Sequence, residues 1–146
     1  MPTAAFNKFN SFVENLAAGV YDLTTGTTHT FKFYLTNAVP DAAADSVKAD
    51  LAEITAENGY PAGGVTIGTI TGAQTAGTFK FVGSTDVEIT ASGGSFGPFR
   101  YAVLYDDTAA SDELIGWYDY GSALTVLDGK LFRIDHDQTN GLFTIT

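Results

Sequence analysis

The stretch from Gly93 to Gly121, GGSFGPFRYAVLYDDTAASDELIGWYDYG, constrains the fold more than any other part of this sequence. Two aromatic-rich segments, Phe99 to Tyr105 and Glu113 to Tyr120, flank a polar loop. Phe99, Tyr101, Val103 and Tyr105 fall at every second position, the spacing of one face of a β-strand. The stretch holds the single Trp of the chain and four of its seven Tyr, but no His, Cys or Lys. It is suited to packing and contact rather than to chemistry.

The rest of the chain extends the β reading. His29, Phe31, Phe33 and Leu35 alternate with Thr30, Lys32 and Tyr34 as a strand. Further short strands are expected near 65–71, 77–82, 86–90, 124–127, 131–135 and 142–145. Gly, Asp, Asn or Ser stand in most of the connections, and Asp128-Gly129 and Asn140-Gly141 read as hairpin turns. Short strands at this spacing predict a mainly β fold, a β-sandwich or partly closed barrel. Two helices accompany it. Phe6, Phe9, Val13, Leu16 and Val20 lie three and four apart, the stripe of an amphipathic helix, with Thr3 as a cap and Gly19 as its end. The stretch 47–57 reads as a short helix burying Leu51 and Ile54. The expectation is one domain over 1–146, with an N-terminal helix or arm over 1–22 and a β domain over 28–146.

Charge and composition narrow the function. A net charge of −10 with only seven scattered basic residues argues against nucleic acid, which needs clustered Lys and Arg, and against anionic membranes. The absence of Cys removes disulfides and thiolate metal sites. No apolar run is long enough to span a bilayer. MPTAAFNKFNSF lacks the charged and apolar regions of a signal peptide, so general secretory export is not expected.

Candidate chemistry is thin. Asp106-Asp107, Asp112-Glu113 and Asp119 beside aromatics evoke the paired carboxylates of a glycosidase, but acidic residues in such loops are ordinarily turn formers. Asp135-His136-Asp137 offers alternating oxygen ligands but lacks the glycine and distal Glu of a calcium loop, and it reads as a hydrated strand end. His29 shares the apolar face of its strand and reads as a core or rim histidine. No nucleophile elbow is present, and Gly93-Gly94-Ser95-Phe96-Gly97 has no helix start or basic residue after it to hold a phosphate. The reading is therefore of a non-enzyme with no cofactor and no metal. Arg100, one of two Arg, lies opposite the strand's aromatics, either facing solvent or pairing with an acidic loop of the same or a neighbouring subunit.

The order of motifs carries a resemblance. FVENLAAGVYDL, KFYLTN with a following Pro, EITAENGYPAGG, GSFGPFRYAVLYDDT, LIGWYDYG, DGKLF and TNGLFTI together resemble a family of small virion proteins of tailed bacteriophages, over nearly the whole chain from Phe6 to Ile145. Its most distinctive pieces are Phe12-Val13-Glu14, Gly59-Tyr60, Gly97 to Ala102 and Asp119-Tyr120-Gly121. Glu57 departs from the family pattern, where Gly is commoner, and this bears on the shape of the 57–59 loop. The resemblance implies a capsid decoration (cement) protein, a homotrimer bound to the major capsid protein on the outer surface of the virion, with no catalytic residues. A tail or neck component is the alternative within structural proteins. A carbohydrate-binding module contacting host glycans is the alternative from another class. Phe6, Phe9, Phe12, Phe96, Phe99, Arg100, Trp117 and Tyr118 are the expected contact residues, with the reservation that strand aromatics are commonly core.

Overall fold

The aromatic stretch forms the two longest strands of the molecule. In the computed structural model, which describes residues 3–146, the chain order is β1 (Asn7–Lys8), α1 (Ser11–Ala17), β2 (Phe31–Thr36), a single 3-10 turn (Lys48–Asp50), β3 (Val65–Thr66), β4 (Ile70–Thr75), β5 (Thr78–Gly83), β6 (Val87–Thr90), β7 (Phe96–Asp106), β8 (Leu114–Val126), β9 (Leu131–Ile134) and β10 (Phe143–Ile145). The fold is mainly β and sandwich-like. A five-stranded sheet, β1-β8-β7-β2-β3, packs against a three-stranded sheet, β10-β5-β4, and a two-stranded ribbon, β6-β9. All pairings are antiparallel.

The main core fills the space between these sheets. Phe31, Phe33, Leu35 and Leu104 come from the large sheet, Ile70 and Phe81 from the three-stranded one, and Val87, Ile89 and Ile134 from the ribbon. A second, smaller core lies on the other face of the large sheet. It holds Phe9, Tyr34, Leu51, Tyr101, Val103, Tyr105 and Leu114. The central strands are thus apolar on both faces, a pattern more usual in parallel sheets covered by helices. Here the cover is irregular chain. Glu53 holds it in place: its carboxylate accepts the Tyr60 hydroxyl at 2.7 Å, the Gly63 N–H at 2.7 Å and the Lys48 ammonium at 2.7 Å.

Alternation in β7 is interrupted. Tyr101, Val103 and Tyr105 share the second core as the spacing predicts, but Phe99 points into the main core with Phe96, Ala102 and Leu104. A bulge is the cause. Between Phe99 and Tyr101 the partner on β8 moves from Leu124 to Asp119. A bulge swaps which face the following residues occupy.

The N-terminal helix expected from Phe6 to Val20 is much shorter. Asn7 and Lys8 form a strand against Trp117 and Gly116, because the edge of β8 has unpaired backbone groups there. The helix begins only at Ser11, with Asn10 at its cap position and Thr3 far outside it. Phe12, not Val13, is the buried residue. Gly19 does end the turn, with φ +74° and its N–H on the Leu16 carbonyl. The helix expected over 47–57 is reduced to Lys48–Asp50, since Glu53 and Ile54 instead pair in extended form with β2 through the Thr36 bridge and the Leu35 carbonyl. Leu51 is buried and Ile54 packs on the main core.

The two Gly turns do not make hairpins. Asp128-Gly129 carries the chain from β8 to β9, and Asn140-Gly141 from β9 to β10, in each case between different sheets. The tight hairpin is β4–β5, where Ala76 (φ 50°) and Gly77 (φ 83°) form a two-residue turn between Thr75 and Thr78. Segments expected as separate strands near 113–120 and 124–127 are one continuous β8, and that expected over 65–71 splits into β3 and β4.

Gly64 and Gly77 make a contrasting test. Both have positive φ, but a Cβ on Gly64 would lie 1.9 Å from the Phe33 carbonyl oxygen, whereas Gly77 faces open space. We expect Gly64→Ala to destabilise by about 3 kcal/mol or more through forced displacement of β2. Gly77→Ala should cost about 1–2 kcal/mol from backbone conformation alone. Urea unfolding of the two variants beside the parent checks the ranking.

Candidate functional site

A cleft of about 350 Å³ opens between the large sheet and the ribbon. Its floor is apolar, built by Phe99 and Ala102 of β7, Tyr118 of β8, and Phe132 and Ile134 of β9. Phe99 and Phe132 meet edge to face at 4.8 Å, which fixes the depth of the floor. Its rim is polar. Arg100 and Asp119 form a bidentate pair across β7 and β8, with Nε to Oδ1 at 2.8 Å and Nη2 to Oδ2 at 3.0 Å. Arg133 is paired with Glu88 of β6. Asp135, His136 and Asp137 complete the β9 side, and Thr3 and Ala4 border the cleft at β1.

The rim charges differ in how firmly they are fixed. The Arg100 guanidinium holds the Asp119 carboxyl below the usual carboxylate range, helped by the Gly121 N–H. Backbone and side-chain N–H groups of Asn140, with the Thr139 N–H, hold Asp137 low in the same way. Asp137 therefore serves its own turn. His136 is buried and its Nε2 lies 2.7 Å from the Thr85 carbonyl oxygen, which fits an Nε2–H donor, while its Nδ1 has no partner among the described residues. Burial, with the Asp137 charge as a lesser cause, pushes the Tyr118 phenol up to about 12. No group of three or more His, Cys, Asp or Glu able to hold a metal occurs among the described residues.

The expected contact residues separate into two sets. Phe9, Phe12, Phe96 and Phe99 are buried core side chains and are not available to a partner; the expectation that they form contacts is corrected. Phe96 stacks between Tyr60 and Phe99, and Phe9 lies against Trp117. Phe6, Trp117 and Tyr118 are half-buried. Phe6 is the staple between the N-terminal segment and the main core, stacked on Phe143 and edge-on to Tyr118. Arg100 pairs within its own chain, one of the two partners its position allowed.

Other carboxylates are structural in the same sense. Asp106 is fully buried, 2.6 Å from His29 Nδ1, and accepts the Thr108 and Ala109 N–H groups. Asp107 pairs with Lys32 at 2.8 Å. Sequence reasoning missed the cleft because the turn between β8 and β9 sends these consecutive strands into different sheets, which leaves a gap that turn residues do not announce. It also missed the exposed apolar residues Val13 (55% exposed), Val39 (74%), Leu127 (60%) and Leu131 (50%). Leu127 and Leu131 stand on either side of a turn, where apolar residues carried a legible, unused signal.

No protein-family model, no curated protein and no solved structure matches this chain. No helix among the described residues is long and apolar enough to cross a membrane.

The Arg100–Asp119 pair makes the acid stability of the rim testable. Because the folded Asp119 carboxyl titrates below its unfolded value of about 3.9, its contribution is present at neutral pH and is lost as the pH falls through the folded value. Asp119→Asn should therefore unfold at a lower temperature than the parent at pH 7, and the gap between the two melting curves should narrow as the pH falls below about 3.9. A difference that persists unchanged at low pH would show that the pair is not responsible.

Proposed function

We propose that this chain is a capsid decoration (cement) protein of a tailed bacteriophage. It binds the outer face of the major capsid protein lattice as a homotrimer and stabilises the head by bridging adjacent capsomers. The motif resemblance supports this reading of the family. The observation that carries the bridging role is the placement of the exposed apolar residues. Val13 lies on α1, which follows the β1 segment bonded to the start of β8 through Phe9 N–H and Ile115 carbonyl. Val39 lies in the loop tied to the same end, by the Asn10 N–H on the Ala42 carbonyl and the Leu114 N–H on the Ser46 carbonyl. Leu127 and Leu131 lie beyond the other end of β8, a strand of 13 residues. The two pairs thus lie toward opposite ends of the β7–β8 ladder, which runs from Leu114 to Val126.

A molecule with apolar contact points at both ends of one strand is suited to joining two neighbours. The physical mechanism is mass action: a protein that binds the assembled shell and not its free subunits stabilises the shell by its binding free energy. Each contact needs only a standard interface, about 1,200–2,000 Å² in total, because symmetry repeats it. The glycan-binding reading is less well supported. The faces of Trp117 and Tyr118 lie against Phe9, Phe6 and Phe33 of the same chain, so they offer no open platform for a sugar.

The test is co-sedimentation of the purified protein with assembled major capsid protein shells and with the unassembled subunit. Binding to shells alone is expected. Each Leu buried in a contact contributes about 1.5–3 kcal/mol, so Leu127→Asp with Leu131→Asp should weaken shell binding at least about tenfold. Val13→Asp with Val39→Asp should do the same. Electron density for this chain confined to the tail or neck of the virion, rather than on the outer capsid surface, would refute the decoration role.

A further inference from the structure

The walls of the cleft are strand edges, not strand faces. Successive residues of a strand point to opposite sides. Phe132 and Ile134 point inward to the core, while Arg133 points outward to Glu88, yet all three border the cleft together with Asp135. A cavity touched by consecutive residues runs alongside the strand. The same holds on the opposite wall, where Tyr118, Asp119 and Tyr120 are consecutive.

Among the described residues neither edge carries a paired strand along the cleft, although Thr3 and Ala4 of the N-terminal segment border it beside β8. β9 pairs only with β6. β8 pairs with β7 on one side, and on the other with β1 at Gly116 and Trp117 alone. From Tyr118 onward that side of β8 carries no strand. Two open edges with an apolar floor between them form a slot for one further strand, the geometry of β-strand addition. The four residues of β9 would match a segment of about four residues, about 13 Å long.

The charge of the slot selects the occupant. Arg100 and Arg133, its cations, are already engaged by Asp119 and Glu88. Among the described residues Asp135 forms no ion pair, and the whole chain carries −10. We propose that the cleft binds an extended, Lys- or Arg-bearing segment of a partner protein, which adds as a strand between β8 and β9 with its apolar side chains on the half-exposed Tyr118 and Phe132. That the partner is the capsid lattice protein rests on the decoration reading; the mode of binding does not.

The experiment uses the full chain and three hexapeptides, followed by amide chemical shifts and hydrogen exchange. One is Ac-Lys-Val-Lys-Val-Lys-Val-NH₂, the second has Glu for Lys, and the third repeats the first with alternate amides N-methylated. The Lys peptide should shift and protect amides of residues 118–124 and 131–135. It should bind at least about tenfold more tightly than its N-methylated form, which cannot complete the ladder, and more tightly than the Glu peptide. Asp135→Lys, at an exposed position, should weaken the Lys peptide roughly fivefold.

Absence of binding, equal binding of the N-methylated peptide, or a preference for the Glu peptide would overturn the proposal. So would shifts at the cleft induced by cellotetraose and not by peptide, which would make it a glycan site. Strand addition by a protein that ignores capsid shells would uphold this inference and refute the decoration role. Shell binding without strand addition would do the reverse.

Discussion

The carboxylate of Glu53 is the interaction on which the second core depends. Three donors from different parts of the chain converge on it, and each organises something further. The Tyr60 hydroxyl gives its proton to Glu53 and accepts the Leu35 N–H at 2.9 Å, so the acid is tied through one phenol to the middle of β2. Lys48 reaches the same carboxylate while its ammonium stands 5.0 Å from the Tyr34 ring and 5.8 Å from the Tyr105 ring. The chain between β2 and β3 is thereby pressed over a sheet face that would otherwise expose Tyr34, Tyr101 and Val103 to water. A partly buried acid with three charge-assisted or strong hydrogen bonds is stable where it lies, and removing it would leave the donors without a partner.

Covering both faces has a consequence for where this molecule can meet others. Its face-directed aromatics are used internally, so the surfaces left for contact are ends and edges. The buried phenylalanines and the engaged ring faces of Trp117 and Tyr118 belong to that first group. Val39, Leu127 and Leu131 in connecting segments, and the open sides of β8 and β9, belong to the second. The shortness of β9, the bulge in β8 and the charged rim residues keep those edges from pairing indiscriminately.

The sequence conveyed the class of fold because period-two aromatic spacing is strong in β7 and β2, and both strands lie close to where the spacing puts them. It conveyed less where local signals compete with long-range pairing. The Phe6-to-Val20 stripe is a genuine helical period, yet the unpaired edge of β8 captures Asn7 and Lys8 first. Helix-forming residues over 47–57 yield to the pull of Glu53 toward Tyr60 and Gly63. Asp128-Gly129 and Asn140-Gly141 are turns as read, but turn chemistry does not say which strands the turn will join. Ala76 in a left-handed conformation has no sequence signature, so the tight hairpin passed unmarked. The bulge after Phe99 was equally silent, and it alone moves that ring from one core to the other. Of the eight expected contact residues, four proved to be core, because aromatic spacing reports burial without saying by what.

The length and pairing of β8 have a mechanical meaning. Its hydrogen bonds to β7 lie across the strand direction in two stretches, Leu114 to Asp119 and Leu124 to Val126, separated by the bulge. Tension applied between its two ends would load those bonds in shear, all together, rather than peel them one after another. The Arg100–Asp119 clasp crosses the same two strands beside the bulge, where the ladder is least regular. A chain built this way yields to a pull along its long axis first by straightening the bulge, and beyond that only by sliding one strand past another.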